Sequence, residues 1–125
     1  MTKKEICLQY IALLEKGEID KLLTLFNKDG VVDSPIYGLK LAANFYRDLT
    51  SDTNNSELKL LGIFEESVSD TAALYFNYQW TLKSNEVVNF DVVDIIEFDT
   101  QNKISKLKII YDTVVARDLV KQLDA

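Results

Sequence analysis

Histidine is absent from this chain, and cysteine and proline each occur once, as Cys7 and Pro35. A lone cysteine rules out an intramolecular disulfide, and with no histidine beside it rules out zinc sites built from Cys and His. Catalysis through a histidine base is excluded too, which leaves carboxylates, tyrosines and lysines for any proton transfer. Internal repeats, low-complexity tracts and a membrane-length apolar run are also missing. The segment after Met1-Thr2-Lys3-Lys4 is interrupted by Glu5, Gln9 and Glu15. No signal-peptide core is read there, and a cytoplasmic protein without membrane association is expected. A basic stripe is lacking as well: 14 basic residues lie scattered among 20 acidic ones, for a formal charge of -6. Nucleic acid is therefore not an expected partner, and the acidic surplus reads as a solvated surface.

What is present is a length of 125 residues, 47% of them hydrophobic, which suits one domain over residues 1–125 with one core. Ile6, Tyr10, Leu13 and Leu14 recur at helical spacing and Gly17 offers a left-handed stop, predicting a helix from about Lys3 to Lys16. Ile19, Leu22, Leu23 and Phe26 extend a second helical pattern toward Asp29-Gly30. Val31 to Pro35 reads as a brief strand, and Leu41, Ala42, Phe45, Tyr46 and Leu49 as a third helix, followed by a polar loop over Ser51 to Ser56. From there the period becomes two. Strands are expected at Glu57 to Glu65, Thr71 to Leu82, Val87 to Phe98 and Ile104 to Asp112, with short polar turns between them. Val114 to Leu123 closes the chain as a helix. Helices followed by long hairpin-linked strands predict an α+β fold, a curved antiparallel sheet wrapped around the N-terminal helices.

Alternation assigns residues to faces. Leu74, Phe76, Tyr78, Trp80 and Leu82 share one side of their strand, while Val92, Asp94, Ile96 and Phe98 share one side of the next. Leu107, Ile109 and Tyr111 do the same on the last strand. The implied interior is an apolar, aromatic pocket suited to a hydrophobic small molecule, with one carboxylate, Asp94, in an apolar row. Burial there favours the protonated acid unless a partner is found. The competing reading pairs Asp94 with a cross-strand lysine or places it near an edge. Val93 and Ile95 make the opposite face apolar too, so a second layer is expected behind the sheet, and a homodimer is its simplest form.

These residues, in this order, resemble the ketosteroid isomerase and SnoaL-like group of the nuclear transport factor 2 superfamily. The stretch Tyr10-Ile11-Ala12-Leu13-Leu14-Glu15-Lys16-Gly17-Glu18-Ile19-Asp20, with Leu25-Phe26 and Pro35, looks like the opening of the isomerases. Gly38, Phe45-Tyr46, Ala72-Ala73-Leu74, Val93-Asp94-Ile95-Ile96-Glu97-Phe98 and Lys103-Ile104 follow collinearly. The resemblance implies a cystatin-like cone and, at Tyr10 and Asp94, a pair of hydrogen-bond donors to an enolate oxygen; the protonated aspartate of ketosteroid isomerase is a standard example of such a donor. It also implies a base directly before Pro35, and there this chain has Ser34. Asp33 is one residue earlier, and alternation turns it away from the pocket unless Pro35 or a bulge twists the strand. The arginine that epoxide-hydrolysing relatives place two positions before the strand aspartate is Val92 here. SnoaL-type cyclases use a pocket aspartate as base and need no metal or cofactor, and Asp94 in its ionised form would fill that role.

The candidate catalytic residues are therefore Tyr10, Asp94 and Asp33, and the candidate ligand contacts are Ser34, Tyr37, Phe45, Phe76, Tyr78, Trp80 and Tyr111. Each aromatic also fits a plain core role, and Cys7 reads as a small buried hydrophobe. Three readings stay open: a cofactor-independent isomerase or cyclase acting on a small apolar carbonyl compound, a noncatalytic binder of a hydrophobic small molecule, and a dimeric scaffold.

Overall fold

The computed structural model describes residues 1–123. The first helix, α1 (Lys3–Lys16), starts at a capping box in which the Thr2 hydroxyl accepts from the Glu5 N–H at 3.1 Å and the Glu5 carboxylate accepts from the Thr2 N–H at 3.0 Å. It ends at Gly17, whose φ of 72° is costly for any side chain-bearing residue. The buried stripe of α1 is Ile6, Cys7, Tyr10 and Leu14.

The second helix, α2 (Ile19–Leu23), is shorter than its apolar spacing predicts. The Thr24 hydroxyl and N–H both turn back to the Lys21 carbonyl, and Phe26 opens strand β1 (Phe26–Ser34), pairing with Ile104. Phe26 at helical distance from Leu22 is thus a strand residue. Gly30 is not a helix stop: a side chain there would meet the Phe26 ring at 2.9 Å and the Ile104 carbonyl at 3.0 Å, so glycine permits a close approach at an irregularity in β1. A tight turn leads to β2 (Gly38–Leu41), which sequence patterning did not indicate. In that turn the Ser34 hydroxyl oxygen accepts from the N–H groups of Ile36 and Tyr37, both at 3.3 Å.

Helix α3 (Ala42–Asp52) buries Ala42, Phe45 and Tyr46 and passes directly into β3 (Thr53–Glu65). The expected loop over Ser51 to Ser56 does not exist. Polar residues suffice because β3 is an edge strand, and Thr53 and Ser56 pair with Leu82 and Trp80 of β4 (Thr71–Leu82). Burial alternates through all 12 residues of β4, and β5 (Val87–Phe98) and β6 (Ile104–Ile110) continue the antiparallel run. The last strand stops two residues short of the expected Asp112.

Six strands form one sheet in the order β2-β1-β6-β5-β4-β3. All pairings are antiparallel except β1 with β6, which run parallel, the chain between them crossing over through β2, α3 and β3 to β5. The fold is the expected α+β cone. Its inner face carries Leu74, Phe76, Tyr78, Trp80, Leu82, Val92, Asp94, Ile96 and Phe98, all buried, beneath α1 and α3. Helix α4 (Val114–Leu123) buries Ala116 and Val120, and Arg117 donates to the Pro35 carbonyl at 2.7 Å. On the outer face Phe64, Ala73, Ile95, Tyr75, Val93 and Ile110 adjoin across four strands; Phe64 and Ile110 remain 61% and 49% exposed. Among the described residues no helix is long and apolar enough to cross a membrane.

Candidate functional site

The cone encloses a cavity to which most elements contribute. Tyr10 and Leu14 come from α1, Phe45 and Leu49 from α3, and Ser34 and Tyr37 from the end of β1 and the turn after it. Strand β4 supplies Phe76, Tyr78 and Trp80; β5 supplies Phe90, Val92 and Asp94; Ile109 and Tyr111 complete the wall. Counted at the centres of water-sized spheres, its volume is about 40 Å³. One water needs roughly 10–15 Å³ on that measure, so the space suits a small flat group.

Nine of the ten residues singled out from sequence line this cavity. Asp33 does not. It is half-buried, faces opposite to Val32 and Ser34, and pairs with Leu39 and Lys108. The strand keeps its alternation through Ser34, so neither Pro35 nor a bulge turns Asp33 inward.

Asp94 is 1% exposed, and among the described residues neither of its carboxyl oxygens has a hydrogen-bond partner. Its neighbours across the sheet are Leu74 and Ile109, so no lysine answers it. Burial alone pushes its carboxyl well above the usual carboxylate range. Burial therefore favours the neutral acid, which has a proton to donate into the cavity.

Tyr10 is fully buried, and its hydroxyl lies 2.6 Å from that of Tyr46. Tyr46 does not line the cavity. When Tyr46 donates to Tyr10, the Tyr10 proton is free to point at a ligand, and the two hydroxyls act in series. Burial, followed by the neighbouring Tyr46 and Asp94, raises the Tyr10 pKa well above normal; burial also raises that of Tyr46, partly offset by the hydrogen bond the two hydroxyls share.

Three other polar groups of the wall, those of Tyr37, Tyr78 and Trp80, are engaged outside the cavity. Tyr37 donates to Asp52 and packs edge-on against Phe45, with ring centroids 5.7 Å apart. Tyr78 bonds Ser56 at 2.7 Å, and Trp80 Nε1 donates to the Thr53 hydroxyl at 2.8 Å. Burial raises the pKa of Tyr37, of Tyr78 to about 12, and of Tyr111. Tyr111 stacks on Phe90 at 4.3 Å, and Phe90 on Tyr78 at 5.6 Å, giving a flat aromatic wall. Cys7 lies behind the site, its thiol pushed up to about 11 by burial, with Asp94 and Glu65 adding to the shift. Among the described residues no group of three or more His, Cys, Asp or Glu could hold a metal ion.

Sequence reasoning overlooked Phe90 and Tyr46 as site residues. Phe90 was within reach, since it shares the parity of Val92 and Asp94. Tyr46 carried only the hint that a buried phenol needs a partner, and its partner lies 36 positions away in the chain.

Similar architectures occur among solved structures. TerC, co-crystallised with polyporic acid, superposes with a TM-score of 0.80 at 18% identity, over 95% of this chain and 98% of its own. A protein of ketosteroid isomerase-like fold from Catenulispora acidiphila, in complex with trimethylamine, gives a TM-score of 0.78 at 15% identity, over 93% of both chains. The fold is that of the nuclear transport factor 2-like and SnoaL-like proteins. Within it, SalBIII, an epoxide hydrolase/cyclase-like enzyme with a role in pyran ring formation in the polyether salinomycin, gives a TM-score of 0.76 at 13% identity, over 88% of this chain and 90% of its own. At such identities the shared property is the nuclear transport factor 2-like fold itself. No protein-family model and no curated protein matches the chain.

Proposed function

We propose that the cavity binds a small apolar carbonyl compound, with Tyr10 and neutral Asp94 donating to its oxygen, and that it promotes ring closure of that compound without a cofactor. The observation that carries this reading is the Asp94 carboxyl, buried and unpartnered in the wall of the same cavity as Tyr10, whose hydroxyl bonds Tyr46. A desolvated acid with no intramolecular partner is costly unless a ligand oxygen uses it.

Cyclisation fits the wall better than isomerisation. Proton removal from carbon needs a base, and the position before Pro35 is Ser34, whose oxygen already accepts two backbone N–H groups. In an intramolecular aldol closure one titratable group is enough. The enol carbon attacks the carbonyl carbon, the carbonyl π electrons move to oxygen, and that oxygen takes the Asp94 proton. The Asp94 carboxylate then takes the proton released by the enol hydroxyl, so the enzyme ends as it began. The cyclase-like character of SalBIII supports the same class by analogy of fold.

Noncatalytic binding of a hydrophobic molecule is the second reading. It is favoured by one fact: the titratable groups of the wall are Asp94 and tyrosines, all with raised pKa, so no second base is present. Titrating Trp80 fluorescence with phenols, which imitate an enolate oxygen, tests what both readings share. Saturable binding weakened in Tyr10→Phe and Asp94→Asn is expected, and binding indifferent to both substitutions would refute the donor pair. Product from keto-enol substrates then separates the two readings.

The outer sheet face is proposed to pair two copies of the chain. Its apolar row is bordered by both charge signs, Glu97 opposite Lys106 and exposed Lys108, as a self-complementary two-fold contact requires.

A further inference from the structure

A second cavity of about 210 Å³, on the same measure as the 40 Å³ inner one, lies against the first. Leu14, Leu49 and Tyr78 line both, so they are the partition between them. The outer chamber differs in chemistry. Its further walls come from the end of α1, the end of α3 and the start of β3, and they present Thr50, Asn54, Asn55 and Ser56. Of its two charges, Lys16 offsets Glu15, and Glu15 is already engaged by the Leu58 N–H at 2.8 Å.

We propose that the two cavities are inner and outer halves of one binding site, whose ligand has an apolar carbonyl-bearing head and an uncharged tail carrying hydroxyl or amide groups. This rests on the reading of the inner cavity given above. Tyr78 joins the halves: its ring lines the inner wall while its hydroxyl meets Ser56 in the outer chamber at 2.7 Å. Held by that bond and by stacking on Phe90, Tyr78 is the fixed part of the partition. Leu49, only half-buried, is the movable part, since side chains that are not fully packed change rotamer within nanoseconds. A cavity as small as the inner one cannot enclose a larger ligand alone, and the tail gains an exit lined with uncharged hydrogen-bonding groups.

The test is calorimetric titration with two probes, phenol and phenol bearing a para diethylene glycol tail, against wild type, Leu49→Ala and Asn55→Phe. Leu49→Ala thins the partition, and Asn55→Phe fills the outer chamber from an exposed strand position. Leu49→Ala should strengthen the tailed probe about tenfold more than it changes phenol, and Asn55→Phe, which lines only the outer chamber, should weaken the tailed probe about tenfold while changing phenol less than about threefold. Parallel changes for both probes, or no change for the tailed one, would overturn the shared site while leaving the inner donor pair intact. Failure of both probes to bind wild type would overturn the inner reading and this one together.

Discussion

Replacing Asp94 by asparagine should remove a pH dependence of stability that the wild-type protein carries. The unfolded chain releases the Asp94 proton near pH 3.9, the ordinary value for aspartate. The folded chain keeps it to a much higher pH, because burial disfavours the carboxylate and no partner compensates. Between those two values the native state holds one more proton than the unfolded state, so unfolding free energy falls as pH rises. The slope from this one group is about 1.4 kcal/mol per pH unit, or about 2.7 kcal/mol from pH 5 to pH 7 while folded Asp94 stays protonated. Its contribution is complete below the unfolded pKa and is lost progressively up to the folded one. Asparagine keeps the shape and has no such slope. Urea unfolding followed by Trp80 fluorescence at several pH values gives the stability of both proteins, and the other titrating groups cancel in the difference. The expected result is a wild-type minus Asp94→Asn difference that declines steadily from about pH 4 upward. A difference independent of pH would mean that Asp94 ionises in the fold as it does in the unfolded chain, and would refute the burial argument.

Other outcomes follow from the same structure. Tyr46→Phe removes the hydroxyl behind Tyr10 without touching the cavity, so phenol binding should weaken by less than in Tyr10→Phe, and stability should fall by about 1 kcal/mol in urea unfolding. Gly17→Ala places a side chain at a φ of 72° with nothing within 4 Å to clash, so the cost should be the backbone term alone, about 1 kcal/mol, read by thermal unfolding. Phe64→Lys with Ile95→Lys should convert the proposed dimer to a monomer in sedimentation without loss of phenol binding, since both residues lie on the sheet face away from the cavity. A wild type that already sediments as a monomer would refute the pairing.

Much of the inner face was legible because period two needs only the sequence. The alternation through β4 and β5 is enough to put Phe76, Tyr78, Trp80 and Asp94 on one inner face. The same logic set Asp33 apart from Ser34, as the structure places them. What failed depended on partners distant in sequence. Phe26 matches a helical stripe as well as it matches a strand, and only its pairing with Ile104 decides between them. Thr53 to Ser56 look like a loop because an edge strand can be polar on both sides, and their strand character comes from β4. The parallel contact of β1 with β6 and the bond of Tyr10 to Tyr46 leave no local trace at all. The partition between the two chambers is of this kind too, made by residues from α1, α3 and β4.

The central claim is that Asp94 stands neutral in the cavity and gives its proton's hydrogen bond to a ligand oxygen. Infrared difference spectroscopy of wild type against Asp94→Asn at neutral pH observes that proton directly. A protonated-carboxyl band present only in the wild type, moving to lower frequency when phenol is added, is the predicted result. A carboxylate band in its place, or an acid band that phenol leaves unmoved, would contradict the account.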